Sequence, residues 1–284
     1  MLRDRSKKSI AWNIVIDCIF LFFLIAIMVP IAFMFSASIM KPSQIYSMPY
    51  PWITKKPFFK NYFNAVTNYG RDLTFLRIVL NSVIVAGCTT LLSVIVSAFA
   101  GYGLAKFKFK GRNFAFLVIM SRMMIPFEAI MIPMYIIATK LHLQNTYSGL
   151  IMPFIMNSFC IFQMKQYLEG YPDELLDAGR IDGLNEWGLF WKLVFTNSTP
   201  AIATSAILSF RGQWDNLLWP LLLAQKQTMK TIPAYLVKFT EEKFADEGAM
   251  MAVAVIASIP IIILFLSLSK YFFGGSTMYS SGKE

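Results

Sequence analysis

Apolar stretches long enough to cross a membrane recur along this chain, at residues 12–37, 79–105, 114–138, 146–164, 199–223 and 249–273. A bilayer core takes about 20 apolar residues per helical span. Inside it every backbone N–H and C=O needs an internal partner, so only helices or a closed barrel can cross. Barrel strands would read as alternating segments of about ten residues, and these runs are longer and uniformly apolar. The expected fold is therefore an all-α integral membrane protein with six transmembrane helices. Composition agrees: 56% of residues are hydrophobic and 15% charged, against about a quarter charged in a soluble domain.

The net charge of +10 reads as topology rather than as a nucleic-acid surface, and no nucleic-acid partner is expected. Arg3, Arg5, Lys7 and Lys8 precede the first run, and Lys106, Lys108, Lys110 and Arg112 crowd the link between the second and third. Short loops rich in Lys and Arg stay on the cytoplasmic side. Six spans put both clusters, and both termini, on that side. The link 139–145 carries only Lys140 and His142, as an external loop can. Segment 38–78 contains Lys55, Lys56, Lys60 and Arg71, but the charge rule weakens for long loops. Its Pro42, Pro49, Pro51 and Pro57, interleaved with Tyr and Trp, suit an external loop at the headgroups.

The expected organisation is a cytoplasmic tail (1–11), a first membrane helix (12–37) that is retained rather than cleaved as a signal, an external loop and lead-in (38–78), a core of five membrane helices (79–273) and a cytoplasmic tail (274–284). Gly101-Tyr102-Gly103 at the end of the second span would let helices approach closely. Pro126 and Pro133 predict kinks in the third.

Little points to catalysis. Cys18, Cys88 and Cys160 lie in apolar stretches and read as small buried hydrophobes. The single histidine, His142, falls in a loop, and no Cys/His spacing fits a metal. An integral membrane enzyme is therefore disfavoured. No P-loop pattern occurs: Gly282-Lys283 is followed by Glu284 and lacks the upstream glycine. An ion-driven secondary transporter would show inverted repeats, and none is convincing; that reading and a non-catalytic scaffold subunit remain the alternatives.

Residues 165–198 form the main polar loop, expected on the cytoplasmic side. Pro172 suits the first position of a helix, and Asp173 and Glu174 suit the positive end of its dipole. The helix should run to about Ile181, end at Gly183, and be followed by a second helix from Glu186 capped by Asn185. Ala178 and Gly179 leave one face nearly bare, so another protein's surface can come close; the alternative is a solvated connector.

Charges also occur inside the apolar runs. Arg211 and Asp215 lie four apart on the predicted fifth helix, hence on one face. Arg122 and Glu128 lie in the third run. A charge at mid-bilayer costs at least ~2.5–3.5 kcal/mol, so it faces a partner or a wet cavity. Two readings stay open. One is internal pairing, Arg211 with Asp215 and Arg122 with Glu128 or a partner chain. The other is a polar translocation path, with Gln213, Trp214 and Asn216 supplying hydrogen bonds and an aromatic face. Arginines here raise the expectation of an acidic cargo, such as a uronate oligomer or a phosphorylated sugar.

The loop Asp177-Ala178-Gly179-Arg180-Ile181-Asp182-Gly183, with Leu193-Val194-Phe195-Thr196 beyond it, resembles the cytoplasmic signature of bacterial ABC importer permeases. That signature reads Glu-Ala-Ala, three residues, Gly, nine residues, Ile-x-Leu-Pro. Asp177 replaces Glu, Gly179 the second Ala, and Thr196 the usual proline. Gly101–Arg112, Met124–Pro133, Trp214–Pro220 and Lys270–Gly275 are similar, in order, to further segments of the family. The likeness runs from about Asn81 to the end and is nearest the shorter permease of maltose-type importers. It implies the type I ABC importer architecture, in the bacterial cytoplasmic membrane, with this chain as half of a pore. The implied partners are a second homologous permease, two cytoplasmic ATPase subunits holding ATP and Mg²⁺, and an extracytoplasmic solute-binding protein delivering a sugar or oligosaccharide. Membrane lipid surrounds the assembly, and no cofactor is expected in this chain. By the same resemblance, Asp177, Ala178, Gly179, Arg180, Asp182 and Gly183 form a coupling helix that docks in an ATPase groove. Loop 224–247 touches the binding protein, and the tail from Gly274 lies against the ATPase.

Overall fold

The computed structural model describes residues 7–67, 74–240 and 246–274, and among these every regular element is helical. The basic tail through Ser6, Arg71, the charged loop residues 241–245 and the tail from 275 lie outside the described residues. The chain divides into two compact units, one of residues up to 73 plus 238–257, the other of 74–237 plus the remainder from 258.

In the first unit, α1 (Lys7–Ser38) is followed by the short α2 (Pro42–Ile45) and by α3 (Lys60–Thr67). The stretch Trp12–Ser38 has a mean hydropathy of 2.9 and buries none of its most apolar window, as expected of a helix solvated by lipid. The C-terminus of α1 is held by a polar knot. Buried Asn61 donates its amide to the carbonyls of Ser38 (3.0 Å) and Met40 (2.7 Å), taking up acceptors that a helix end leaves free. Beyond it, Tyr50 lies between Phe33 (5.0 Å) and Trp52 (5.2 Å), an aromatic cluster of the kind favoured beside headgroups.

The second unit is built on α4 (Thr74–Lys106), which packs lengthwise against α8 (Ser158–Glu169) and α11 (Thr199–Trp214). Its buried face is rich in small residues, among them Ser82, Ala86, Thr89, Ser93, Ser97, Ala98 and Gly101. Small residues let backbones meet where lipid gives no hydrophobic drive to association. Close approach is realised at Gly101, where a Cβ would lie 2.7 Å from the Met164 Cβ; around Gly103 the space is open.

The third expected span is two helices, α5 (Arg112–Met124) and α6 (Phe127–Lys140), set at 100° to each other. The break falls at Ile125-Pro126, because the residue before proline is pushed into extended backbone, here φ −91° and ψ 114°. Pro133 sits within α6 without interrupting it. The fourth is also broken: α7 (Tyr147–Ile151) and a 3₁₀ turn (Met152–Phe154) meet α8 at 45°. Since α8 runs to Glu169, the polar loop starts after 169 rather than at 165. The fifth, expected unbroken over 199–223, ends at Trp214 and resumes as α12 (Leu218–Leu223). After the short α13 (Ile232–Leu236), the last span belongs to α14 (Glu247–Gly274). Among the described residues three helices are long and apolar enough to cross alone; counting each bent pair as one span gives six, the third pair joining 186–195 to α11.

Of the three cysteines only Cys160 is buried; Cys18 and Cys88 are exposed on their helices. An apolar side chain on a membrane helix need not face inward, because lipid is as apolar as the core.

One end of the second unit is fastened by buried Asn81. Its amide donates to the carbonyls of Thr228 (3.0 Å) and Lys230 (2.9 Å), and its oxygen accepts the Tyr147 hydroxyl (2.6 Å). The neighbouring Ser82 hydroxyl accepts the Ile232 N–H (2.8 Å). Asn81→Leu would strand these buried partners, at about 1–3 kcal/mol per unsatisfied group. A lowered melting temperature in detergent is the expected result; an unchanged one contradicts the anchoring role.

Candidate coupling loop and translocation cavity

The polar loop folds largely as its residues dictate. Pro172 is extended and stands one place earlier than expected, as the cap of α9 (Asp173–Ile181) rather than its first residue. Gly183 has φ +82°, the left-handed conformation that ends a helix and favours glycine. Asn185 then caps α10 (Glu186–Leu189), its side-chain oxygen accepting the Gly188 N–H at 2.8 Å. From α10 the chain continues as a π-helical turn, Phe190–Phe195, into the strand-free bend before α11.

The bare face expected from Ala178 and Gly179 is divided. Gly179 is buried and turned onto its own chain: a Cβ there would sit 2.6 Å from Leu189 Cδ2 and 2.7 Å from Leu193 Cδ1. Ala178 faces outward. With Leu175, 48% exposed, and Ile181, 86% exposed, it makes an apolar stripe at three-residue spacing. Charges flank the stripe. Asp177 accepts from Arg180 at 2.8 Å, and Arg180 also reaches Glu186 at 3.0 Å. Its hydrogen bonds to Glu186 first, then to Asp177, raise the Arg180 pKa. Asp182 is exposed, its N–H closing the last turn on Ala178 O at 2.9 Å. At the other end of α9 the Lys106 ammonium, 2.6 Å from Asp173, holds that carboxyl below its ordinary range. The bond therefore persists on mild acidification and is lost only as pH falls through the depressed Asp173 value.

The second feature is a cavity of about 640 Å³ within the second unit. It opens where three helices break: at Ile125 between α5 and α6, at Met156–Asn157 before α8, and at Asp215–Leu217 between α11 and α12. Non-helical backbone at membrane depth is tolerated where it lines a protected or wet space. Of the expected path residues, Arg122, Glu128, Gln213, Asp215 and Asn216 are in the wall; Arg211 and Trp214 are not. Trp214 is buried and stacks on Phe210 (5.4 Å), so the cavity takes its aromatic surface from Phe127, Phe154 and Phe159 instead. Asn157 and Ser158 also line it. Their polar pair inside the fourth apolar run was a visible helix-start signal, and Asn157 does cap α8.

Both arginines have partners. Arg211 pairs with Asp215 at 3.5 Å, as the internal-pairing reading expects. Arg122 does not meet Glu128; it donates to the carbonyls of Met156 and Pro153, acceptors left over where the helix breaks before α8. The wall therefore holds one arginine and two carboxylates, together with amides and hydroxyls.

Residues 93–274 match the family model described as the binding-protein-dependent transport system inner membrane component. The chain belongs to that family. It is a multi-pass membrane permease, a transport component of the ABC importer class. The arabinooligosaccharides transport system permease protein AraQ of Halalkalibacterium halodurans is 39% identical over 198 residues, covering 70% of this chain and 71% of that one. The probable ABC transporter permease protein YurM of Bacillus subtilis is 32% identical, covering 96% and 90%. In fold, the permease resembles a chain of a bacterial ABC transporter involved in the import of the acidic polysaccharide alginate, with TM-score 0.82 at 24% identity, covering 95% of this chain and 99% of that one.

Proposed function

We propose that this permease forms half of the translocation pore of an ATP-driven importer for a saccharide, an oligosaccharide before a monosaccharide. A second, homologous permease completes the pore. Two cytoplasmic ATPase subunits bind ATP and Mg²⁺, which this chain does not, and an extracytoplasmic binding protein delivers cargo. Both termini lie in the cytoplasm. The observation that carries this reading is α9: an exposed apolar stripe of Leu175, Ala178 and Ile181, rimmed by Asp177, Arg180 and Asp182 and closed by the left-handed turn at Gly183. An exposed apolar strip with a polar rim has the make-up of a docking surface. Closure of the ATPase pair displaces this helix and shifts the bundle between two states.

Cargo class follows from the cavity and from the relatives' names. Carboxylates, amides and hydroxyls around three phenylalanines suit a polyhydroxylated ring. Named relatives include permeases for arabinooligosaccharides and for lactose. The prior engagement of Arg122 and Arg211 favours a neutral saccharide. An acidic one is the second reading, supported by the presence of Arg122 in the wall and by a relative named for sn-glycerol-3-phosphate. Uptake by Arg122→Gln and Arg211→Gln variants separates them. Equal loss for neutral and acidic cargo is expected; loss confined to acidic cargo would establish the second reading.

The role of the loop is tested by purifying the native assembly. ATPase chains should co-purify, and uptake should require ATP; uptake driven by an ion gradient, with no ATPase chain bound, contradicts the proposal. Gly183→Trp should lower transport severalfold while ATP is still hydrolysed. The strain is about 1–2 kcal/mol for a left-handed L-residue, and the added ring stands beside the docking stripe. Unaltered uptake would count against this role.

A further inference from the structure

Three residues on one face of α4, Phe99, Tyr102 and Lys106, each grip a different part of the coupling loop. Their spacing of three and four places them in line along the last turns of the helix. Phe99 stacks on Phe190 in the π-helical turn, with ring centres 4.0 Å apart and planes at 15°, and on Trp187 of α10 at 5.1 Å and 17°. The Tyr102 hydroxyl donates to Glu186 Oε2 at 3.0 Å. The Lys106 ammonium, 9% exposed, donates to the Tyr171 carbonyl and to Asp173, both at 2.6 Å. The other oxygen of Glu186 accepts Arg180 Nε at 3.0 Å, and Arg180 continues to Asp177 at 2.8 Å. An unbroken polar chain therefore runs from α4 to the acid on the docking side of α9: Tyr102, Glu186, Arg180, Asp177. Lys106 fixes the start of α9, and this chain fixes its last turns.

The far end of the same helix is also fastened. Asn81 holds the carbonyls of Thr228 and Lys230, beside an exposed turn at Gln225–Thr228. Asn81 and Lys106 are about 38 Å apart along the axis at 1.5 Å per residue. α4 has no proline and no break between them, whereas α5 with α6, α7 with α8, and α11 with α12 are all interrupted. A continuous helix transmits an axial or rotational displacement; a bent pair can absorb it at the break.

We propose that Phe99, Tyr102 and Lys106 are positioning residues that bolt the coupling loop to α4, making α4 the rigid rod between that loop and the 225–232 loop at the opposite end. The proposal rests on the coupling role of α9 proposed above and on the contact of loop 224–247 with the binding protein that the family resemblance implies. It adds that the force does not pass through the loop's flanking helices α8 and α11 alone. The rod ties the conformation of the 225–232 loop to that of the loop on the ATPase, so a loaded binding protein is reported to the ATPase through α4.

The test uses the complete importer in proteoliposomes, with Tyr102→Phe combined with Lys106→Met. The double variant removes the polar grips and keeps the ring and most of the apolar volume. The expected result is full co-purification of the ATPase subunits and retained basal hydrolysis. Stimulation by the loaded binding protein should fall severalfold, and ATP consumed per substrate moved should rise severalfold. A second variant, Lys106→Arg, keeps donors for both Asp173 and the Tyr171 carbonyl and should retain more than half of the stimulation that Lys106→Met alone loses. An unchanged ratio of ATP to substrate overturns the proposal. So does failure of the double variant to retain its ATPase subunits, since the grips would then serve assembly rather than transmission. If the unmodified permease retains no ATPase subunits, the coupling role itself is what fails.

Discussion

Replacing Gly179 with leucine is expected to reduce uptake more than tenfold, with the protein still inserted in the membrane. The Cβ alone would lie 2.6 Å from Leu189 Cδ2 and 2.7 Å from Leu193 Cδ1. These are the ends of flexible side chains, so Gly179→Ala should be accommodated by rotamer changes and keep most activity. A leucine cannot be accommodated in that way. Its branch must displace α9 from α10 and the π-helical turn, and overpacking of this kind costs about 1–3 kcal/mol. The displacement falls on the helix whose outer face, Leu175, Ala178 and Ile181, is proposed to dock. Uptake and ATP hydrolysis in membrane vesicles give the readout, with Ala178→Leu as the outward-facing comparison. Equal, near-normal uptake in Gly179→Ala and Gly179→Leu would show that α9 is not seated as described.

Gly101→Leu should be strongly destabilising to the second unit's core. Here the obstacle is backbone and the Cβ fixed to it: a Cβ would meet Met164 Cβ at 2.7 Å and the Lys165 nitrogen at 3.0 Å. Neither can rotate away, so α4 and α8 must separate along their shared face. The cost is at the upper end of overpacking, about 3 kcal/mol or more. Gly103→Leu is the control, because nothing lies within 4 Å of its added Cβ. A large drop in melting temperature and yield for Gly101→Leu, and little for Gly103→Leu, is expected in detergent. Matching behaviour of the two would contradict the close α4–α8 contact.

Those glycines show what was legible in the sequence. Gly101 and Gly103 look alike as letters, and only the position of α8 makes one indispensable. The same holds for Ala178 and Gly179: a bare patch was evident, but which residue turned inward depended on Leu189 and Leu193 arriving from the next turns. Features set by local chemistry were read directly. Apolar runs of spanning length gave the membrane class, Gly183 ended α9, and Asn185 capped α10. Pro126 announced a kink, yet the 100° angle is a matter of what packs on either side. The fifth run reads as one helix because Arg211 and Asp215, four apart, share a helical face; in the fold Asp215 and Asn216 occupy its break. The Tyr102–Glu186 bond joins residues 84 apart and has no local signal. Trp214 was assigned to the path on residue type alone, and its burial against Phe210 assigns it to packing.

The most direct test places a single cysteine at Ala178 after replacing Cys18, Cys88 and Cys160 with alanine, in a permease that still supports uptake. A membrane-impermeant maleimide is applied to intact cells and to inverted membrane vesicles. Labelling should occur only in the inverted vesicles, and bound ATPase subunits should protect the site. Labelling of intact cells from outside would put α9 on the wrong side of the membrane to meet a nucleotide-driven subunit.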